Sequence, residues 1–182
     1  EIGMECGGKV SLYFEVIQAC RDFVLFGGGH VGRALTPLLE TLGFRVTLMD
    51  DREEVAAFAD PEKARSVIIH TYEDISPVRE QIERSGYCFV ATHGHTFDED
   101  LMRQLWALRP EYRYLGLIGS RTKVTALKKN LTGEGLREPV NFYSPVGLPV
   151  GGDTAEEIAI SIAAEIIAVE NGREIDHMRD RI

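Results

Sequence analysis

Apolar residues in this chain form short unbroken runs, separated by longer stretches where they recur every three or four positions. FVLF at 23–26, VTLM at 46–49, SVII at 66–69 and CFVA at 88–91 are mostly apolar without alternation. That is the mark of strands covered by helices on both faces. After the first run, HVGRALTPLLETLGF places Val31, Leu35, Leu38, Leu39 and Leu42 at helical spacing, with Gly43 as a stop. Pro37 lies inside this pattern and is expected to bend it or remove one hydrogen bond.

The alternation continues along the chain. A strand over 45–51 is followed by a short helix over 52–59, and a strand over 64–70 by a polar helix over 76–86, with Pro77 near its start. A strand and turn over 87–95 precede a helix ended by Pro110. A strand over 112–120 precedes a basic helix over 121–131, and a mixed segment over 138–153 holds a short strand before a last helix over 154–172. An additional strand is expected over 9–17, where KVSLYFEVI partly alternates. Strand–helix alternation of this kind predicts an α/β fold: a doubly wound, mostly parallel sheet in three layers.

Composition bounds the possibilities. The 182 residues, 44% of them apolar, suffice for one globular domain with a full core. Lys plus Arg number 20 and Asp plus Glu 29, a net charge of −9. Such a surface repels a phosphate backbone, so general nucleic-acid binding is not expected, while a local basic pocket for one small phosphate is compatible with it. No apolar run approaches a membrane span, and no secretory signal pattern opens the chain. The chain begins at Glu1, and GMECGGKVSLYFEV reads as the end of something, so residues 1–19 are expected to be the tail of an upstream domain or a linker, and 20–182 the main domain. Cys6, Cys20 and Cys88 are odd in number and widely spaced, which is no disulfide framework and points to a reducing, cytoplasmic compartment.

The densest chemical signal is VLFGGGHVGRAL at 24–35. Gly27, Gly29 and Gly32 fit G-x-G-x-x-G directly after a strand and at the opening of a helix, the context in which that spacing binds a pyrophosphate. Gly27 allows a tight turn, Gly29 lets a phosphate reach the backbone, and Gly32 lets the helix pack closely on the strand. With Gly28, His30 and Val31 they present main-chain N–H groups at a helix N-terminus. The next strand ends in Asp50 and Asp51, and Asp50 lies close to the spacing expected of an acid that accepts ribose hydroxyls. That favours an NAD-like dinucleotide over its 2′-phosphorylated form, a preference that Arg52 complicates. The alternative is a tight strand–helix turn with a surface aspartate and no ligand. His30 either donates to a phosphate or serves as a cap residue.

Three further motifs fall at strand ends, where open α/β sheets bind ligands. ATHGHTFDED brings Thr92, His93 and His95 past the fourth of the apolar runs; ligand-facing loop histidines are expected there, the alternatives being a purely structural role and, less favoured because no third ligand is evident, a metal site. In GLIGSRTK, Gly119, Ser120, Arg121 and Lys123 read as an anion-binding turn, or alternatively as the start of a solvated basic helix face. In SPVGLPVGGDTAEE, Thr154 and Glu157 form a capping box beside Gly151 and Gly152, either a second phosphate site or a well-made helix start. The last helix is apolar nearly all round, with Glu157, Ser161 and Glu165 as a narrow polar stripe, and is expected to be buried in a subunit or domain interface, giving a homodimer.

Taken in order, GMECGG, GGGHVGRAL, MDDRE, THGHTFDED, LGLIGSRTK and SPVGLPVGGDTAEEIAISIAAEIIA resemble the XdhC/CoxI-type accessory proteins of molybdenum hydroxylases such as xanthine dehydrogenase. The resemblance covers essentially the whole chain. It implies a Rossmann-like C-terminal domain preceded by the end of an N-terminal one. It also implies a chaperone role: binding molybdenum cofactor (molybdopterin), aiding its sulfuration and delivering it to the apo-hydroxylase. Cys6 then becomes a candidate cofactor or sulfur contact, whereas Cys88 in its apolar strand reads as core. The same residues remain compatible with an NAD-dependent oxidoreductase, for which His93, His95 or Lys123 would relay protons, and with a nucleotide-sensing regulatory module.

Overall fold

The computed structural model describes residues 21–63, 65–109 and 111–173, together with Ser11 and Tyr13. Cys6, Cys20 and nearly all of the expected first strand lie outside the described residues. The elements are β1 (Arg21–Phe26), α1 (His30–Thr41), β2 (Phe44–Asp50), β3 (Ser66–Ile69), α2 (Arg79–Ser85), β4 (Tyr87–Val90), α3 (His95–Leu108), β5 (Glu111–Leu117), α4 (Arg121–Gly133), β6 (Val140–Tyr143) and α5 (Ala155–Glu170). The helix expected over 52–59 is a 3-10 segment, Glu53–Phe58, packed through its buried Val55.

All six strands pair in parallel in the order β3-β2-β1-β4-β5-β6. This is the doubly wound Rossmann order, in which the connections reverse direction between β1 and β4. Alternate residues of β1 feed two cores. Val24 and Phe26 pack with Ile82, Leu101, Leu105 and Leu127, on the face carrying α2, α3 and α4. Phe23 and Leu25 pack with Leu35, Leu39, Ala159, Ile162 and Ile166, on the face carrying α1 and α5. Burial on both faces explains why β1 and β4 read as unbroken apolar runs.

Pro37 sits within α1 without ending it. Within the narrow polar stripe of α5, Ser161 and Glu165 point inward. Ser161 Oγ donates to the Leu148 carbonyl at 2.7 Å, and Glu165 accepts from the buried Tyr114 hydroxyl at 2.8 Å. Ile160 and Ile167, at 57% and 44% exposed, face outward instead.

Candidate functional site

The switch between β1 and β4 opens a cleft of about 470 Å³ at the carboxyl ends of the strands, lined by Gly28, Gly29, His30, Val31, Arg33, Arg52, Ala91, Thr92, His93 and Ile118. A larger cavity, about 680 Å³, is lined by residues of β5, β6 and the end of α5 and includes none of the glycine turn.

Packing separates the glycines by role. Gly27 has φ +107°, and a side chain there would collide with the Ala91 carbonyl, so the turn crosses directly over the end of β4. A side chain at Gly32 would strike the Gly27 carbonyl, so α1 starts flush against the turn. Gly29 differs. Its φ is −73°, and an added Cβ would meet nothing within 4 Å. Neither conformation nor packing requires glycine at position 29; what it keeps clear is the cleft in front of the α1 N-terminus.

That N-terminus is unclaimed by the chain. Gly29 is its N-cap without a side-chain hydrogen bond, and its first turn holds no acid. The chain's own groups occupy other helix starts at this end of the sheet; α3 carries Asp98 in its first turn. The Ser120 Oγ of α4 accepts from Lys123 N at 3.3 Å. At α5, Glu157 Oε2 accepts the N–H groups of Asp153 and Thr154, both at 3.1 Å, so the reading of Gly151–Gly152 as a second phosphate site gives way to a self-sealed capping box.

Asp50 is where expectation and geometry diverge most. Its side chain has no exposure, so it does not line the cleft. Oδ1 accepts from Arg52 N at 3.0 Å and Arg52 Nε at 2.8 Å, while Oδ2 accepts from Gly28 N at 2.6 Å and Arg52 Nη2 at 2.9 Å. Burial alone would raise its pKa; the Arg52 side-chain bonds, the two backbone N–H groups and the Arg52 charge outweigh it and bring the carboxyl down to about 2. Asp50 thus braces the glycine turn and aims Arg52.

Asp51 stands beside it with its Oδ1 buried and without a hydrogen-bond partner, 3.7 Å from His93 Nδ1. The Tyr72 hydroxyl, fully buried, also lacks a partner. Burial first, then the charges of Asp50 and Asp51, push this phenol far above its usual range. His93 tilts against the Phe97 and Tyr72 rings, at 5.0 and 6.2 Å between centroids, and lines the cleft.

Lys123 is placed differently from its reading as an anion ligand. Its ammonium pairs with Asp98, which is 1% exposed and also accepts from Thr92 Oγ1 at 2.6 Å. This network fixes the loop carrying Thr92 and His93. Gly119, Ser120 and Arg121 follow Ile118 but do not line the cleft, and His95 opens α3. Among the described residues no three His, Cys, Asp or Glu side chains gather as a metal site. Arg33, Ala91 and Ile118 were not anticipated as lining residues. The signal for Arg33 was present: it lies one turn along α1 from His30.

Residues 23–166 match the family model described as XdhC Rossmann domain. The chain is 30% identical over 174 residues to the protein YqeB of Escherichia coli, covering 93% of this chain and 31% of that protein. It is 31% identical over 157 residues to a probable xanthine dehydrogenase subunit of Bacillus subtilis, covering 86% of this chain and 45% of that one. It therefore spans less than half the length of both curated relatives. Among solved structures, a xanthine dehydrogenase from Bacillus halodurans superposes with TM-score 0.66 at 23% identity, covering 84% of this chain and 45% of that one. The NAD(P)-binding domain of an exopolyphosphatase-related protein from Archaeoglobus fulgidus superposes with TM-score 0.50 at 18% identity, covering 65% and 86%. With the glycine turn, the strand order and the matched span in agreement, the chain belongs to the XdhC family, and its 23–166 segment is the Rossmann domain of that family.

Proposed function

We propose that this chain is a cofactor-holding module for the maturation of a molybdenum hydroxylase, gripping molybdenum cofactor or an NAD-like dinucleotide by its phosphate at the Gly27–Gly32 turn. One observation carries the reading: the α1 N-terminus is left uncapped and acid-free behind a glycine that neither its backbone conformation nor its packing requires. Four basic side chains, His30, Arg33, Arg52 and His93, line the cleft and no carboxylate does, in a chain of net charge −9. Molybdopterin carries a phosphate and its nucleotide forms a pyrophosphate, so either ligand class suits the donors present.

The Bacillus subtilis relative, named for xanthine dehydrogenase, supports an apo-hydroxylase of the xanthine dehydrogenase kind as partner. The setting is cytoplasmic. A homodimer forms through the outward Ile160 and Ile167 of α5. Cys6 remains the candidate sulfur contact.

Gly29→Asp places a carboxylate where the phosphate belongs and abolishes binding in calorimetry; titration curves that match the wild type would refute the site. Mass spectrometry of small molecules released from protein made in a molybdenum-replete host identifies the natural occupant. The Asp51–His93 contact favours a second reading, an NAD-dependent oxidoreductase in which His93 relays the proton that accompanies hydride transfer. Steady-state NADH turnover with simple aldehydes or ketones, lost in His93→Ala, would favour it over the first.

A further inference from the structure

We propose that the cleft is built for a nucleotide whose ribose carries a phosphomonoester, received by Arg52 with Arg33, in preference to one with a free ribose diol. This rests on the reading of the glycine turn as a phosphate cradle and reverses the preference that Asp50 implied in the sequence.

Donor and acceptor matching carries the inference. A ribose diol needs an acceptor, normally the carboxylate that ends β2. Here both Asp50 oxygens already accept two N–H groups each, and the side chain is wholly buried. Arg52 turns toward the cleft in its place, with its side chain 34% exposed. A guanidinium offers donors only. Its Nη1 has no hydrogen-bond partner among the described residues, because the fork toward Asp50 uses Nε and Nη2.

Arg33 supplies a second fork. Its Nε donates to the Gly28 carbonyl at 2.9 Å, and its guanidinium carbon lies 5.6 Å from the centre of the Phe58 ring. The stem is therefore anchored, while its two terminal nitrogens have no hydrogen-bond partner among the described residues. A ribose diol entering this corner could accept from the guanidiniums, but its own two O–H donors would find no free acceptor there. A phosphomonoester brings only acceptors and two negative charges, which arginine forks bind with paired hydrogen bonds. The Asp50–Arg52 pair is neutral in sum, but its negative half is sealed inside and its positive half faces the ligand.

The test is calorimetric titration of the purified chain with NADPH and NADH, and with 2′,5′-ADP and 5′-AMP to isolate the adenosine half. The 2′-phosphorylated member of each pair binds tighter, by roughly tenfold or more. Arg52→Gln, which keeps a donor for Asp50 but no charge, and Arg33→Ala each move the affinity ratio toward one. If Arg52→Gln fails to fold, the wild-type ratio and Arg33→Ala decide. NADH binding as tightly as NADPH overturns the inference, and so does a preference that neither substitution changes. Binding of molybdopterin alone, sensitive to Gly29→Asp, overturns the inference while leaving the proposed function in place. Absence of binding by any of these phosphate ligands overturns both.

Discussion

Four glycines and one aspartate do separate jobs at the centre of this protein. Gly27 and Gly32 are required by their neighbours, Gly28 supplies the N–H that Asp50 accepts, and Gly29 alone is required by nothing in the chain. Asp50 holds the turn together, which gives it a measurable thermodynamic signature. Its carboxyl sits at about 2 in the fold against an ordinary value of 3.8, a stabilisation of about 2 kcal/mol at neutral pH. A depressed carboxyl contributes fully above its unfolded pKa and loses that contribution as pH falls through the folded one. Asp50→Asn is therefore expected to lower urea stability by about 2 kcal/mol at pH 7. The gap between wild type and variant should shrink between about pH 4 and pH 2. A gap independent of pH would show that the carboxylate charge is not what braces the turn.

At the scale of elements, the helix starts at the carboxyl end of the sheet are chemically unequal. α5 is sealed by its Thr154–Glu157 box, α4 by Ser120, and α3 carries Asp98 in its first turn, while α1 has neither a side-chain cap nor an acid. The wall opposite α1 depends on α3 and α4 through one buried contact, Asp98 with Lys123 and Thr92. Removing the aspartate leaves an ammonium and a hydroxyl without their shared partner. Asp98→Ala is expected to cost about 3 kcal/mol, lowering the melting temperature by on the order of 10 °C in calorimetry. A shift within error would mean that Lys123 finds solvent or a new partner freely. In α5 the polar residues serve the interior: Ser161 and Glu165 satisfy the Leu148 carbonyl and the Tyr114 hydroxyl inside the protein. Isoleucines turn outward as a consequence.

Those outward isoleucines matter at the scale of the whole molecule. Ile160 and Ile167 are exposed apolar groups of α5, a helix whose other side packs on α1. Dimerisation through them predicts a two-chain mass by light scattering, and the double substitution Ile160→Lys, Ile167→Lys should give single chains with an unchanged far-ultraviolet spectrum. A single-chain mass for the wild type at high concentration removes the dimer. Charge is also organised at this scale: a chain of net −9 holds a cleft lined by basic groups, so the proposed anionic ligand would be repelled at long range and attracted at short range. Its affinity should depend strongly on salt.

The sequence by itself determined the layered α/β architecture, because unbroken apolar strand runs and helically spaced leucines leave few other ways to bury apolar surface on both faces of a sheet. It also determined the glycine turn and the start of α1, since Gly27, Gly29 and Gly32 act within a few residues of one another. What is local in the chain was legible. The tertiary structure decided the rest: that Asp50 is spent on Gly28 and Arg52, that Lys123 belongs to Asp98, and that Ser161 and Glu165 face inward. Each depends on a partner brought from another element. Sequence spacing cannot tell which of two nearby opposite charges a ligand will meet, because the side chains pair with each other first.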